Sequence, residues 1–229
     1  MSRRGLVDEA IQGILDRVVD GDFKAGEALP PESDLAALLD VSRPTMREAV
    51  RSLSDRGVLH VVHGRGTFVA PQAQWRDLPT LISVLARTTP ERDLGLQLIE
   101  VRRMLEVGAA GLAAGNRTED DALRMRTVLE RYDEAAGRGD VEEVAAMDIA
   151  FHELILEASG NPFLAAIMQP LAEAVETSRR STAAIPEVRE RAQGHHWAIL
   201  GRIAARDSTG AKNAMRAHMT QTGEDIASL

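Results

Sequence analysis

Two short β-prone runs that follow three helical segments restrict how this chain can fold. The runs VLHVV and GTFVA, at residues 58–62 and 66–70, are separated by a glycine-rich spacer, which predicts a β-hairpin. Upstream, apolar residues recur every three or four positions and predict helices over residues 6–20, 33–39 and 43–57. Three helices followed by a two-stranded ribbon is the order of elements in a winged helix-turn-helix.

The third predicted helix carries a row of arginines on one face. Arg43, Arg47 and Arg51 recur every four residues, and Thr45 lies near the amino-terminal end, where recognition helices usually meet DNA bases. Such a row is most often a solvated helix face, but the adjoining turn and hairpin favour DNA binding. The hairpin tip is a flexible, positive wing that we expect to approach a minor groove or phosphates: His63, Gly64, Arg65 and Gly66.

The rest of the chain has helical periodicity and few aromatic residues. Only 3% of all residues are aromatic, so the core has to be built mainly from aliphatic residues, alanine and methionine, as in packed helices. We therefore expect a mainly α protein with a winged helix-turn-helix at residues 1–70, a linker at 71–79 and an antiparallel bundle of six or seven helices at 80–229. The predicted helices of the bundle are 80–88, 93–115, 119–137, 140–159, 162–182, 187–206 and 209–227.

Composition narrows the class of protein further. The chain has no cysteine, which excludes disulfides and thiolate metal sites and suits a reducing compartment. The amino terminus lacks the apolar stretch of a signal peptide, and no run is long enough to span a bilayer. These features predict a cytoplasmic protein with no membrane partner.

Four side chains that can bind a metal fall on or beside the apolar stripes of three predicted helices. Asp148 and His152 flank one stripe, His196 lies in the middle of a second, and His218 lies at the edge of a third. Singly, an inward histidine is usually a hydrogen-bonded core residue, and Asp148 with His152 could be an ordinary i,i+4 pair. Together, three imidazoles and a carboxylate suit Zn, Ni, Mn or Fe, and they predict a divalent metal site. His195 points to another side of its helix and is expected to be a bystander or a supporting group.

Arg102 also lies on the apolar side of its predicted helix. A guanidinium buried there needs an anionic partner. One candidate is Glu106, one turn further along the helix, and the other is the carboxylate of a ligand. The sequence leaves both open.

Residues 6–70 resemble the DNA-binding domain of the GntR family of bacterial transcription regulators. The resemblance is carried by Gly-Glu-Ala-Leu-Pro, by Leu-Ala-Ala-Leu-Leu, by Val-Ser-Arg-Pro-Thr-Met-Arg-Glu-Ala and by the closing Gly-Arg-Gly-Thr-Phe-Val. It implies that double-stranded operator DNA is contacted by Arg43, Thr45, Arg47, His63, Gly64 and Gly66. Ser33 and Asp40 depart from the family pattern, which usually has arginine and glycine there, so the operator sequence is open.

Residues 78–225 resemble the FCD effector domain of the FadR subgroup of that family. The matching stretches are IEVRRMLEVGAAGLAA, DIAFHELILEASGNPFL, HHWAIL and MRAHM. Metal-binding members carry an Asp-x-x-x-His pair and two further histidines, which correspond to Asp148, His152, His196 and His218. The resemblance implies that the metal holds a small carboxylate effector with help from Arg102. Fatty-acyl-binding members lack the four ligands, which argues against an acyl-CoA.

These observations predict a homodimeric regulator that binds an inverted repeat, and repression relieved by the effector is the commoner habit of the resembling family. One alternative is a metal-dependent enzyme in a helical bundle, against which the attached DNA-binding domain argues. Another is a regulator whose metal is purely structural or is itself the signal.

Overall fold

The computed structural model describes residues 3–229, which form two compact units with a boundary between Thr88 and Thr89. No helix within residues 3–229 combines the length and the apolar character needed to cross a bilayer. The amino-terminal unit has four helices and one two-stranded sheet: α1 (Arg3–Val19), α2 (Glu32–Leu38), α3 (Arg43–Asp55), β1 (Leu59–Val62), β2 (Gly66–Val69) and α4 (Leu78–Thr88).

Helix α3 begins where the sequence predicts. Ser42 is its N-cap, and the Ser42 hydroxyl oxygen accepts a hydrogen bond from the Thr45 backbone N–H at 3.2 Å. Its apolar face is buried in a core shared with Ile14 and Leu35, while its arginines remain exposed: the buried positions are Thr45, Met46, Ala49, Val50 and Leu53.

The predicted hairpin is confirmed. Strands β1 and β2 pair antiparallel, with Leu59 opposite Val69 and Val62 opposite Gly66. Gly64 has a φ of 73°, a left-handed conformation that glycine adopts without strain. The connection between α1 and α2 also pairs with the ribbon, since the Leu29 N–H donates to the Thr67 carbonyl at 2.8 Å.

The helix that we assigned to the start of the bundle packs elsewhere. Val84 of α4 is buried in the amino-terminal core, and Arg87 Nη1 lies 2.6 Å from the Asp16 carboxylate on α1. Apolar contact and an ion pair therefore hold α4 in the first unit, and the boundary between the units lies nine residues beyond the predicted linker of 71–79.

The carboxyl-terminal unit contains seven helices in residues 89–229: α5 (Glu91–Asn116), α6 (Glu119–Arg138), α7 (Val141–Ala158), α8 (Pro162–Met168), α9 (Ala172–Ala183), α10 (Pro186–Ala204) and α11 (Ser208–Ala227). The predicted continuous helix over 162–182 is wrong. It is two helices, α8 and α9, joined by a short 3-10 turn that contains Pro170. Proline lacks the N–H of the helical ladder and clashes with the preceding turn, so it interrupts the helix.

Two arginines fasten helix α5 to helix α10. The Arg117 guanidinium at the end of α5 donates to the carbonyls of Ile203 and Ala204 at the end of α10. In return, the Arg206 guanidinium donates to the carbonyls of Gly115 and Arg117 at 3.1 Å. Each arginine therefore donates to carbonyls at the carboxyl-terminal end of the other helix, where carbonyls outnumber helical donors. This exchange fixes α5 and α10, which carry Arg102 and His196, relative to each other.

Asp40 has a φ of 51°, which is unusual for a residue other than glycine. We expect Asp40→Gly to raise the free energy of unfolding of the first unit by about 0.5–1 kcal/mol, because glycine adopts this conformation without a Cβ clash. Asp40→Asn is the control, since it removes the same charge and keeps the side chain. Thermal and urea unfolding of the full chain measure the difference, and equal stability of the two variants would contradict the strain.

Candidate metal centre and DNA-binding surface

Three helices of the second unit bring three histidines together in its interior. His152 lies on α7, His196 on α10 and His218 on α11, and all three are buried. One ring nitrogen from each lies within 4.8 Å of those of the other two. The packing of three distant segments therefore brings these histidines together in one buried cluster.

The surroundings of two histidines turn their Nε2 atoms inward. His152 Nδ1 lies 2.5 Å from Glu106 Oε2, and His196 Nδ1 lies 3.2 Å from Gln193 Oε1. Both acceptors favour the tautomer that carries its proton on Nδ1, which leaves the Nε2 lone pair free to bind a cation. His218 Nε2 lies 3.3 Å from His152 Nε2.

Gln193 orients His196 through its own hydrogen bonds. Its side-chain amide nitrogen donates to the Leu129 carbonyl at 3.0 Å and to the Asp133 carboxylate at 2.8 Å. These bonds turn its oxygen toward His196. Partners that orient a ligating histidine in this way are a regular part of metal sites. Gln193 was not among the predicted site residues, although an amide three residues before His196, on the same face of the predicted helix, was a usable signal.

Asp148 lies at the edge of the histidine cluster. Its Oδ1 is 3.2 Å from His196 Nε2, and its Oδ2 is 2.7 Å from Arg179 Nε. One oxygen therefore faces the cluster while the other forms a buried ion pair. The sequence analysis also missed Arg179, whose signal is a charge on the apolar stripe of α9, four residues after the buried Val175.

Arg102 has the nearby partner that the sequence offered. Its Nε lies 2.7 Å from Glu106 Oε1, and both side chains are buried. Arg102 Nη2 is also buried but has no hydrogen-bond partner within residues 3–229. The guanidinium thus keeps a donor that a ligand could use.

Electrostatics hold these groups in the protonation states that a metal requires. Burial lowers the pKa of His152 to about 4 against the opposing effect of Glu106, and burial likewise lowers the pKa of His218 well below its ordinary value. Burial alone would raise the pKa of Asp148, but Arg179 and His196 outweigh it and hold that pKa well below its usual range. At neutral pH, His152 and His218 are therefore neutral imidazoles beside an ionised carboxylate.

The donor set fits a divalent cation. His196 Nε2 forms no hydrogen bond within residues 3–229, although Asp148 Oδ1 is near. Two nitrogens that bind one Zn-like ion at about 2.0–2.1 Å must lie roughly 3–3.5 Å apart. The distance of 3.3 Å between His152 Nε2 and His218 Nε2 satisfies this requirement. An unpartnered buried nitrogen and two facing lone pairs are what one shared cation stabilises.

His195 stays outside the cluster, as expected. It is partly buried, and its ring centroid lies 5.8 Å from that of His218. Burial lowers its pKa.

Two cavities adjoin the histidines. A cavity of about 30 Å³ is bordered by Arg102, Asp148, Arg179 and His218. A larger one, of about 310 Å³, has Glu106, His152 and Arg179 at one end and extends between α7, α8 and α9. Arg179 borders both cavities.

All but one of the predicted DNA-binding residues are exposed in the first unit. Arg43, Arg47 and Arg51 are exposed, and Arg47 Nε lies 3.4 Å from Glu32 Oε2. Thr45, in contrast, is only 8% exposed, because its hydroxyl lies 2.7 Å from the Ser42 hydroxyl at the cap of α3. The wing residues are all exposed: His63, Gly64, Arg65 and Gly66. Contact of each with DNA stays a prediction.

We expect His152→Ala or His218→Ala to abolish stoichiometric binding of a divalent ion, because each removes a buried nitrogen that no neighbouring side chain replaces. His195→Ala is the matched control, since His195 is adjacent to a predicted ligand but outside the cluster. Elemental analysis after metal loading and dialysis measures the ion content per chain. Full occupancy in the His152 and His218 variants would refute this site.

Known proteins resemble both units. The family described as "Bacterial regulatory proteins, gntR family" matches residues 6–69, and the FCD domain family matches residues 97–221. The HTH-type transcriptional regulator LutR of Bacillus subtilis (strain 168) is 30% identical over 92% of this chain and 96% of its own. The galactonate operon transcriptional repressor of Escherichia coli (strain K12) is 31% identical over 72% of this chain and 70% of its own.

A solved Streptococcus agalactiae GntR structure has a TM-score of 0.55 and 25% identity, and the match covers 95% of this chain and 99% of that one. The named relatives are transcription regulators, so the regulator interpretation holds against the enzyme interpretation. Two family matches that together cover most of the sequence show that this chain belongs to the GntR family of bacterial regulatory proteins and carries an FCD domain as its carboxyl-terminal part.

Proposed function

We propose that this regulator is a homodimeric, cytoplasmic repressor whose affinity for operator DNA falls when a small carboxylate binds at a metal ion in the FCD domain. The observation that carries the proposal is the buried histidine cluster with its balanced charges. Family membership supports DNA binding itself. The other parts of the proposal are the metal ion, the carboxylate effector and the dimer, and each has its own support.

The metal would be held by Nε2 of His152, His196 and His218, with Asp148 Oδ1 as the candidate fourth ligand. Imidazole and carboxylate donors together suit Zn, Ni, Mn or Fe. When bound, such an ion supplies positive charge that attracts a carboxylate oxygen. Glu106 and Gln193 hold two of the histidine rings in the orientation that this binding needs.

Charge balance favours an anionic effector. Arg102 and Arg179 carry two positive charges near the histidines, and Glu106 and Asp148 carry two negative charges. The four groups therefore cancel, and a divalent cation leaves an excess of two positive charges in a buried site. An uncompensated buried charge is costly, so metal binding favours the entry of an anion. Arg102 Nη2, which is buried without a partner within residues 3–229, is the donor best suited to meet it.

The galactonate operon relative is named a repressor, which supports repression for this chain. A carboxylate can weaken DNA binding only to the extent that it binds the two conformational states of the regulator with different affinity. We infer that the state with the occupied metal site holds the recognition helices in an arrangement that matches the operator less well.

The exposed face of α5 supports a dimer. Val101, Met104 and Leu112 are 40%, 78% and 44% exposed and lie three and eight residues apart, on one side of the helix. Gly108 lies between them, and a Cβ there would meet nothing within residues 3–229. A continuous apolar stripe of this kind is typical of an interface. A two-fold dimer suits an inverted-repeat operator.

We expect Arg47→Ala to lower the affinity of the regulator for an operator duplex, itself selected in vitro with the unmodified full chain. The slope of log affinity against log salt concentration should also become shallower, by the amount expected for the loss of about one phosphate contact. Arg126→Ala, on the exposed face of α6, is the matched control because it removes an arginine from the other unit. Fluorescence anisotropy over a range of salt concentrations measures both quantities. Equal affinity and slope for the two variants would count against DNA binding by the row of arginines on α3.

We expect acetate to lower the affinity of the metal-loaded protein for this duplex, and to have no effect after chelation or in Arg102→Leu. The reason is that binding requires both the cation and the guanidinium donor. Anisotropy of the labelled duplex at rising acetate concentration measures release, with sodium chloride at equal ionic strength as the control. A metal with a purely structural role predicts lower thermal stability after chelation and no response to acetate, and that outcome would reject the proposal.

A further inference from the structure

The larger cavity beside the histidines has mostly apolar walls. Besides its charged residues and His152, it is lined by the Gln169 amide and by six apolar side chains: Ile149, Leu156, Ala165, Met168, Ala172 and Val175. Its volume of about 310 Å³ lies at the lower end of the range for small-molecule sites. A hydroxylated ligand would lose hydrogen bonds with water along these walls and find few replacements.

The inner end of the cavity is polar. Glu106, His152 and Arg179 border it there, and Arg179 also borders the small cavity beside Asp148 and His218. In the arrangement inferred below, the carboxylate lies at the proposed metal and the rest of the ligand lies against the apolar walls.

The outer end carries negative charge. Glu153 and Glu157 are exposed residues of α7 that border the cavity. Glu157 Oε2 lies 3.1 Å from Arg124 Nη2. Glu153 forms no ion pair of that length with the described side chains, and its charge acts on the buried Arg179, whose pKa it raises. A second carboxylate at the far end of a ligand would meet the Glu153 charge and be repelled.

We infer that the effector is a monocarboxylic acid with an apolar body, rather than a polyhydroxy acid or a dicarboxylate. The inference rests on the proposed function, since the carboxylate is held at the metal and the arginines. It adds the chemistry of the other end of the ligand: the apolar walls bind hydrocarbon, and Glu153 excludes a second negative charge.

Four acids test the apolar walls and the Glu153 charge separately: three acids with six carbons and a two-carbon reference. Hexanoate has the apolar chain, adipate adds a carboxylate at the far end, galactonate adds hydroxyl groups, and acetate is the head group alone. Calorimetric titration of the Zn²⁺-loaded full chain, after elemental analysis confirms one ion per chain, measures each affinity. We expect hexanoate to bind about tenfold or more tightly than each of the other three.

Two pairs of variants test the walls and the outer end. Ala172→Phe fills part of the cavity and should weaken hexanoate about tenfold while leaving acetate within about twofold. Ala166→Phe is its matched control, because Ala166 is an exposed alanine of α8 that does not line the cavity. Glu153→Gln should strengthen adipate several-fold and leave hexanoate unchanged, and Glu157→Gln should have the smaller effect because Arg124 already offsets that charge.

The possible outcomes separate this inference from the proposed function. Galactonate or adipate binding as tightly as hexanoate, or hexanoate binding no better than acetate, would overturn the apolar monocarboxylate and leave the carboxylate site standing. Failure of all four acids to bind the metal-loaded protein would overturn both. Equal loss of hexanoate binding in Ala166→Phe and Ala172→Phe would show that the cavity is not where the chain binds.

Discussion

Two buried guanidinium groups, one buried carboxylate and one partly buried carboxylate surround three histidines in the FCD domain. The other features of the site depend on the mutual neutralisation of these four groups. Arg102 pairs with Glu106, and Arg179 pairs with Asp148. Any one of these charges left alone in this interior would cost several kcal/mol. Because they cancel, the apolar bundle can carry ionised groups beside His152, and those groups fix its ring and its protonation state. The same neutrality makes the site sensitive to added charge, since a divalent ion creates an excess that only an anion can remove.

The two units present their functional residues in opposite ways. In the first unit the arginines of α3 are held outward by burial of Met46 and Val50 on the opposite face. In the second unit, the histidines lie on the buried face. Solvent-exposed arginines suit a polyanion that arrives from solution, whereas a buried cluster suits a small ligand that must be desolvated.

Much of this arrangement could be predicted from the sequence, because periodicity along a helix reports which face is buried. That principle predicts the exposed row of arginines on α3 and the inward direction of His196 and His218. It does not report which helices meet, so it missed Arg179 and Gln193, whose roles arise from contacts between α9 or α10 and distant segments. For the same reason it did not predict the packing of α4 on α1. The break at Pro170 was predictable from proline chemistry, and the continuous apolar pattern around it hid the interruption. Thr45 was predicted to contact DNA, but its hydroxyl lies within hydrogen-bond distance of the Ser42 hydroxyl at the cap of α3, and its side chain is buried.

The central claim is that three histidine nitrogens of this chain share one divalent ion. X-ray absorption at the metal edge of the loaded full-length protein tests it most directly, since it reports the number and type of atoms bound to the ion. We predict three imidazole nitrogens at about 2.0–2.1 Å for zinc, together with oxygen ligands. A spectrum with oxygen ligands only, or with fewer than three imidazoles, would contradict the metal centre described above.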